Sequence, residues 1–432
     1  MKILKIAVIG SGGREAAVIK KILESGRRAN IYAIPGNGGI ASYAECIDIA
    51  ATDISGITDF CKKNSIDYVV VTPDDPLALG LVDMLTSKNI LCFGPTQAAA
   101  RIESSKVFSK NLMKKYNIPT AAYETFNDST SANAYLKDYF ANGHNSVVIK
   151  ADGLALGKGV IICTSLEQAQ SAVHQIMIEK KFASSGNQIV IEEFLEGPEV
   201  SVLSFCDGKT VVPMVSSMDH KRALDGDKGL NTGGMGAIAP NPFYTHDIAC
   251  VCYNKIFLPT IAAMQQEGFP FKGCLYFGLM LTEDGPKVIE YNCRFGDPET
   301  QVVLPLLQSD LYEIMLACTN GTLNDTLVKF SAGAAACVVL ASEGYPESYE
   351  KDFEISGIDK VEKDVEVFFA GVRSDNNKLY TNGGRVLGVT VAAANLNSAV
   401  AAAYKAAQSI EFKNKFCRSD IGKTALERLS AN

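Results

Sequence analysis

The sequence predicts a multidomain protein of mixed α/β and α+β class. An N-terminal parallel-sheet layer comes first, then a central region of two α+β subdomains, then a small C-terminal α+β domain. Three observations carry this. A chain of 432 residues is too long for one hydrophobic core. Its first hundred residues alternate short β-rich runs with helical patterns, which implies right-handed βαβ units on a parallel sheet. Beyond residue 121 the strand candidates are instead joined by short turns, and beyond about residue 321 the chain turns Ala-, Val- and Gly-rich. The domains expected are therefore 1–102, 103–325 with a smaller lid subdomain at about 121–194, and 326–432.

The elements follow in order. Strands are expected at 5–9, 30–34, 68–72 and 90–93, with helices at 14–24 and 77–87 between them. One helix is expected at 102–116, ending before the Asn117-Ile118-Pro119 break. Strands at 146–150, 159–163, 188–194 and 200–206 and a helix at 166–180 build the small α+β unit. A Gly-rich stretch, 219–240, has no periodicity and is too long to be an idle connector. A helix at 248–266 precedes a strand pair, 273–281 and 286–291, turned by Thr282-Glu283-Asp284-Gly285. In the last domain Asn382-Gly383-Gly384 reads as a hairpin signal.

Composition narrows the function classes. The apolar fraction of 47% and charged fraction of 21% are those of a globular protein. A net charge of −7 argues against a nucleic-acid partner held by general electrostatics. Twelve Cys without CxxC pairs and only four His suggest neither a disulfide framework nor a zinc site, and reduced thiols fit the cytoplasm. MKILKIAVIG reads as a first strand running into a Gly turn, and no apolar run is expected to span a bilayer, so no membrane partner is expected.

Four segments carry chemistry. Gly10-Ser11-Gly12-Gly13-Arg14-Glu15 joins the first strand to the first helix, where glycines admit a phosphate to a helix N-terminus. Tight turns explain these residues about as well. Lys150, then Asp152-Gly153-Leu154-Ala155-Leu156-Gly157-Lys158-Gly159, sets two cations around a Gly loop able to cover a triphosphate. The Walker spacing is absent. Ile191-Glu192-Glu193-Phe194-Leu195 ends a strand where backbone groups could read an adenine edge, and Glu199 is placed to accept from ribose hydroxyls. The most specific run is Glu290-Tyr291-Asn292-Cys293-Arg294-Phe295-Gly296-Asp297-Pro298-Glu299. Strand alternation sets Glu290, Asn292 and Arg294 on one face, a bench for a divalent cation, a phosphate and a substrate carboxylate.

Taken in this order, the lysines, the 192–199 segment and Glu290-x-Asn292-x-Arg294 resemble the ATP-grasp superfamily. The run Asp219-His220-Lys221-Arg222 through Gly233-Gly234-Met235-Gly236, with Arg294-Phe295-Gly296-Asp297-Pro298-Glu299, resembles the glycinamide ribonucleotide synthetase family. The likeness extends from the Gly10 turn to Arg418-x-Asp420-Ile421-Gly422. The resemblance implies a Rossmann-like N-terminal domain, an ATP-grasp core, and ATP-dependent ligation of glycine to 5-phosphoribosylamine through glycyl phosphate, in purine biosynthesis. It implies ATP with Mg²⁺, or Mn²⁺, as cofactors, and transient contact with neighbouring pathway enzymes as partners. By the same likeness Arg294, Asp219, Lys221 and Asp297 are catalytic, and Glu290 and Asn292 are metal ligands. Lys106, Lys150, Gly153, Gly157, Lys158, Gly159, Glu192, Glu193, Phe194, Leu195 and Glu199 hold ATP. Gly12, Gly13, Arg14, Glu15, Asn37, Gly38, Asp74, Arg222, Gly296 and Pro298 hold substrate. Ala16 stands where the family often has His, Asp74 where it has Glu, and 273–281 lacks the Glu that often supplies a second metal ligand. A formate-using or carboxylating ATP-grasp ligase is the alternative, and an inactive nucleotide-binding module is a second.

Overall fold

The computed structural model describes residues 3–154 and 159–431. Its first sheet is parallel throughout, in the order Glu45–Cys46, Ala29–Pro35, Leu4–Gly10, Tyr68–Val71, Leu91–Phe93. Val69, Val70 and Val71 and Ile6 to Ile9 are buried, as a sheet covered on both faces requires. The strand order reverses at Leu4–Gly10, so a crevice opens beyond the C-terminal ends of that strand and Tyr68–Val71, where such sheets take ligands. Two expected helices are each broken in two. Asp74–Ala78 and Leu81–Ser87 part at Gly80, whose φ of +84° no continuing helix adopts. Gln97–Ser104 and Lys106–Lys115 part at Ser105, whose extended backbone lets its hydroxyl accept from Phe108 N–H as the cap of the second helix.

A four-stranded antiparallel sheet, in the order Tyr123–Phe126, Ile189–Glu193, Val147–Ala151, Val160–Cys163, packs on helices Ser129–Ala141 and Leu166–Val173 around its own core of Leu136, Ile149, Val173 and Ile191. A second antiparallel sheet runs Val211–Pro213, Glu199–Asp207, Lys272–Thr282, Gly285–Asn292. Contrary to expectation, the helical run His246–Gln266 is long and apolar enough to cross a bilayer. Here Phe257, Ile261 and Met264 are instead buried in the core with Phe277 and Tyr291, the Phe257 and Phe277 rings lying 4.2 Å apart.

The fourth sheet crosses the boundary expected near residue 325. Its path is Met218–Asp219, Gly236–Ala239, Ala334–Ser342, Arg385–Ala393, Val365–Phe369, so both ends of the Gly-rich stretch are strands of the C-terminal sheet. Residues 219–240, which have no sequence periodicity, are thus short strands and turns. The hairpin signal at Asn382-Gly383-Gly384 is overturned. Lys378–Thr381 pairs with Val372–Asp375 around Asn376-Asn377, both at positive φ, whereas Arg385–Ala393 belongs to the larger sheet. Gly383 is glycine because a Cβ there would lie 2.8 Å from Gly371 Cα.

Candidate active site

The strand Gly285–Asn292 delivers the centre. Glu290 lies within electrostatic reach of Lys221, Lys150, Lys106 and Arg294, which come from four separate segments. Burial alone would raise its carboxyl, but these cations outweigh it and hold Glu290 below the usual carboxylate range. Lys150, Lys221 and Arg294 each pair with a further carboxylate, Glu192, Glu199 and Glu103, so three of the four cations are fixed around Glu290 by ion pairs of their own.

Lys150 projects from Val147–Ala151 and donates to Ile289 O at 3.0 Å. Its Nζ is also 3.0 Å from Glu192 Oε2, and Lys110 Nζ meets the same oxygen at 3.1 Å. The other oxygen, Glu192 Oε1, is buried without a hydrogen-bond partner. Burial brings Lys110 down to about 8, with Glu192 opposing. Lys106 Nζ donates to Gly153 O at 3.0 Å, and Asp152 Oδ1 accepts from Val107 N–H at 3.1 Å, fastening the mouth of the Gly loop to the helix that carries both lysines. Gly159 closes the strand pair by accepting from Ala151 N–H. Gly157 and Lys158 lie outside the described residues. Glu193 Oε1 accepts from Ala122 N–H at 2.9 Å and meets Lys287 at 3.3 Å, which fixes the segment, while Phe194 is exposed and Leu195 half-buried. Glu199 Oε2 is 3.0 Å from Lys221 Nζ, and that carboxylate is the chief reason the Lys221 ammonium is held well above its ordinary range.

Arg294 donates through Nη2 to Asn292 Oδ1 at 3.1 Å, as the strand alternation predicts, and pairs with Glu103 at 3.1 Å. Glu103 Oε2 also accepts from Cys293 N–H at 2.7 Å. Asp74 begins the helix Asp74–Ala78 at the crevice, where its charge bears on Arg294 and Glu103. Asp297 Oδ2 is 2.9 Å from Arg385 Nη2, and Oδ1 accepts from Gln301 Nε2 at 2.6 Å. Burial opposes ionisation of Asp297, but Arg385, Arg14 and Arg294 hold it below the usual range. Asp219 is pushed the other way: burial first and the Glu299 carboxylate next hold it well above that range, and its Oδ1 is buried without a partner. Pro298 packs on Gly234, where a Cβ would lie 2.3 Å from its ring, and Gly296 leaves no room for a Cβ beside Glu299.

The Gly turn arrives at the same place. Arg14 donates to Phe295 O at 3.2 Å, and a Cβ on Gly12 would lie 3.4 Å from Asp297 Oδ2. Gly13 is shut against Gln301. Four of the expected substrate residues also do structural work. Glu15 accepts from Gly12 N–H at 2.5 Å and from Arg14 Nε at 2.6 Å, so its carboxylate is spent on the turn. Asn37 donates to Ser11 O and Phe369 O and accepts from Gly39 and Ile40 N–H, a strut between the first and last domains. Gly38 donates to Val372 O, and a Cβ there would strike Arg373 and Ser374 backbone. Arg222 turns back to Gly229 O at 2.9 Å.

Sequence reasoning misses Glu103, Lys110, Glu299 and Arg385. Lys110 sits four residues after Lys106, on the same helix face, and Glu103 occupies a core position beside Ala99, Ala100 and Ile102, so both left a signal. Arg385 left none: its partners are 88 and 152 residues away.

Beside the site, His220 is buried, with Nε2 accepting from Gly422 N–H at 3.1 Å. Burial, then Arg418, bring it down to about 4 from an ordinary 6.5, while Asp227 and Asp420 oppose. A depressed histidine contributes stability that is present above the unfolded value and lost as pH falls from 6.5 toward 4, on the order of 3 kcal/mol in all. Thermal melts over that range should therefore show a shallower acid slope for His220→Gln than for the parent chain. Equal slopes would remove His220 from the acid transition.

Three family models match in succession. They are the phosphoribosylglycinamide synthetase N domain over residues 4–103, its ATP-grasp (A) domain over 104–300 and its C domain over 335–424. A phosphoribosylamine–glycine ligase of Allochromatium vinosum is 46% identical, covering 98% of this chain and 99% of that one. The human trifunctional purine biosynthetic protein adenosine-3 is 45% identical over 98% of this chain and 42% of its own length. Among solved structures, the phosphoribosylamine–glycine ligase of Thermotoga maritima superposes with a TM-score of 0.83 at 32% identity, covering 97% of this chain and all of that one.

Proposed function

The chain belongs to the phosphoribosylglycinamide synthetase family, and on that premise we propose that it joins glycine to 5-phosphoribosylamine, splitting ATP to ADP and phosphate. The observation that carries the reading is Glu290 surrounded by Lys106, Lys150, Lys221 and Arg294. In this reading a glycine carboxylate oxygen attacks the γ-phosphorus and ADP departs, leaving glycyl phosphate. The amine nitrogen of phosphoribosylamine then attacks the glycyl carbonyl carbon, and phosphate departs with its electron pair while the amine gives up a proton. Lys106 and Lys150 neutralise the triphosphate, and Arg294 forks the carboxylate that must approach it. Asp219, with one carboxyl oxygen buried and without a hydrogen-bond partner, is the residue we assign to take the amine proton when it is ionised. The crevice at Gly12, Gly13, Arg14 and Asp74 receives the ribose phosphate, with the first helix supplying its N-terminus.

Glu290 and Asn292 offer a carboxylate and an amide oxygen, the hard donors Mg²⁺ or Mn²⁺ takes. Among the described residues no three His, Cys, Asp or Glu side chains gather to enclose a metal. The remaining ligands would then be phosphate and water oxygens, and the cation would supply charge neutralisation between phosphates. The reading places the reaction in purine biosynthesis in the cytoplasm, on small molecules rather than nucleic acid or membrane. Fusion of the human relative to other purine activities supports transient contact with neighbouring pathway enzymes.

The test of the whole reading is phosphate release that requires glycine and freshly made phosphoribosylamine together. Release driven by formate, or by bicarbonate with another amine, would favour the alternative ligases. For the nucleotide half, Lys150→Ala should weaken an ATP analogue by ~1.5–3 kcal/mol, the worth of one charge-assisted hydrogen bond. Lys110 still pairs Glu192 in that variant, so the fold survives. Unchanged analogue affinity in a calorimetric titration would take Lys150 out of the site.

A further inference from the structure

The hairpin Arg222–Leu224 with Lys228–Asn231 has no core of its own: Ala223 is buried, while Leu224 and Leu230 are about half exposed. A lone two-stranded hairpin of this length is not stable in water. It is held from the far end of the chain. Arg418, 1% exposed, donates through Nη1 to Arg222 O at 3.1 Å and Asp227 Oδ1 at 2.9 Å. Its Nε and Nη2 meet the two oxygens of Asp420 at 2.7 and 2.9 Å. Asp420 Oδ2 also accepts from Gly226 N–H at 2.7 Å. Asp225 accepts from Ser419 N–H at 2.8 Å and from the Ser419 hydroxyl.

A second grip lies at the other end of the loop. Arg385 donates through Nη1 to Gly233 O at 2.5 Å and Asp297 O at 2.9 Å, and through Nη2 to the Asp297 carboxylate. Tyr345 OH accepts from Gly233 N–H at 3.0 Å. A Cβ on Gly233 would lie 2.8 Å from Arg385 Cζ, so the glycine permits this approach. Asp219 and Lys221 precede the first grip; Lys221 is fixed to Glu199, and its backbone O accepts from Thr232 N–H at 2.8 Å beside the second grip.

The C-terminal sheet does not need these bonds, since it closes over its own apolar core of Val338, Val389, Ala403 and Ile410. Burying a guanidinium costs several kcal/mol unless every donor is met, and the bonds that meet Arg418 fix backbone geometry in 222–227 rather than cover apolar surface. We propose that the C-terminal domain is a two-point clamp on residues 219–236, with Arg418 and Arg385 as positioning residues that set recognition of glycine and phosphoribosylamine. The inference rests on the proposed function, in which this loop faces those substrates. Neither arginine touches Lys106, Lys150 or Glu192, and the clamped loop meets the nucleotide half through the Lys221–Glu199 pair.

In the full-length protein, Arg418→Met should raise KM for glycine and for phosphoribosylamine about ten- to a hundredfold, the effect of a small misplacement of binding groups. The Kd of a non-hydrolysable ATP analogue should stay within about twofold, and Arg418→Lys should recover only part of the loss because one ammonium cannot replace a fork. A drop in melting temperature with unchanged KM values, or parallel loss of analogue affinity, would overturn the clamp. If Arg418→Met does not fold, Asp225→Ala decides, since it loosens only the exposed rim. A smaller rise in the same two KM values supports the clamp, and unchanged values overturn it. A parent chain that does not consume glycine with phosphoribosylamine would sink the functional reading instead. The clamp is then judged by amide exchange: faster exchange in 222–231 of Arg418→Met, with 147–151 unchanged, sustains it, and equal exchange overturns it.

Discussion

Glu290→Gln is expected to give a folded protein that does not turn over. The substitution preserves shape and removes only the charge around which Lys106, Lys150, Lys221 and Arg294 are arranged. Two losses add. The neutral amide is a weaker ligand for a hard cation than the charged carboxylate, which forfeits several kcal/mol of charge stabilisation, about a thousandfold in rate. The four cations also lose the one carboxylate they share; Lys150, Lys221 and Arg294 keep Glu192, Glu199 and Glu103, but the site becomes more positive by one charge and favours a polyanion. A second signature follows: binding of ATP without Mg²⁺ should strengthen or hold while turnover collapses. The measurements are steady-state phosphate release over a range of Mg²⁺ and titration of the metal-free nucleotide. Near-normal turnover at ordinary Mg²⁺ would remove Glu290 from the metal site.

How much of this was legible in the sequence depends on how local each cause is. The parallel sheet was legible because its strands are buried on both faces and read as continuous β-branched runs, as in Tyr68–Val71. The breaks at Gly80 and Ser105 were not, because one needs a left-handed backbone and the other a cap, and both lie inside unbroken apolar patterns. Asn382-Gly383-Gly384 misled because its glycines answer to a tertiary contact with Gly371, whereas the turn itself uses Asn376-Asn377. Glu290, Asn292 and Arg294 were legible because one strand and the two residues after it carry all three, and a polar stripe there has no packing reason. Glu15 and Asn37 show the complementary case: a carboxylate or amide beside a Gly turn suits a cap as well as a ligand, and the cap bonds they make could not be read from the sequence. Arg385 acts across the fold, where spacing says nothing.

Glu103→Ala is expected to cost both stability and turnover. Glu103 is buried and takes two donors, the Arg294 guanidinium at 3.1 Å and Cys293 N–H at 2.7 Å. Burial raises its carboxyl, and Arg294 with the Cys293 N–H holds it back, so the ion pair is what keeps a charge at this depth. Removing one member of a buried pair costs about 3–5 kcal/mol. The low end is expected here, because Arg294 is one-fifth exposed and keeps its bonds to Asn292 and Phe295 O. Released from Glu103, Arg294 is drawn toward Asp74 and Glu299, which already bear on it, and away from the position beside Glu290. A displacement of that order lowers turnover about a hundredfold. Glu103→Gln separates the two effects, since its amide oxygen still accepts from Cys293 N–H while the charge is gone. It should recover part of the stability lost in Glu103→Ala and little of the turnover. Urea unfolding and steady-state rates on the pair measure this. If Glu103→Ala unfolds at the parent's midpoint and turns over normally, Glu103 does not position Arg294, and Asn292 and Phe295 O must hold the guanidinium against the phosphates.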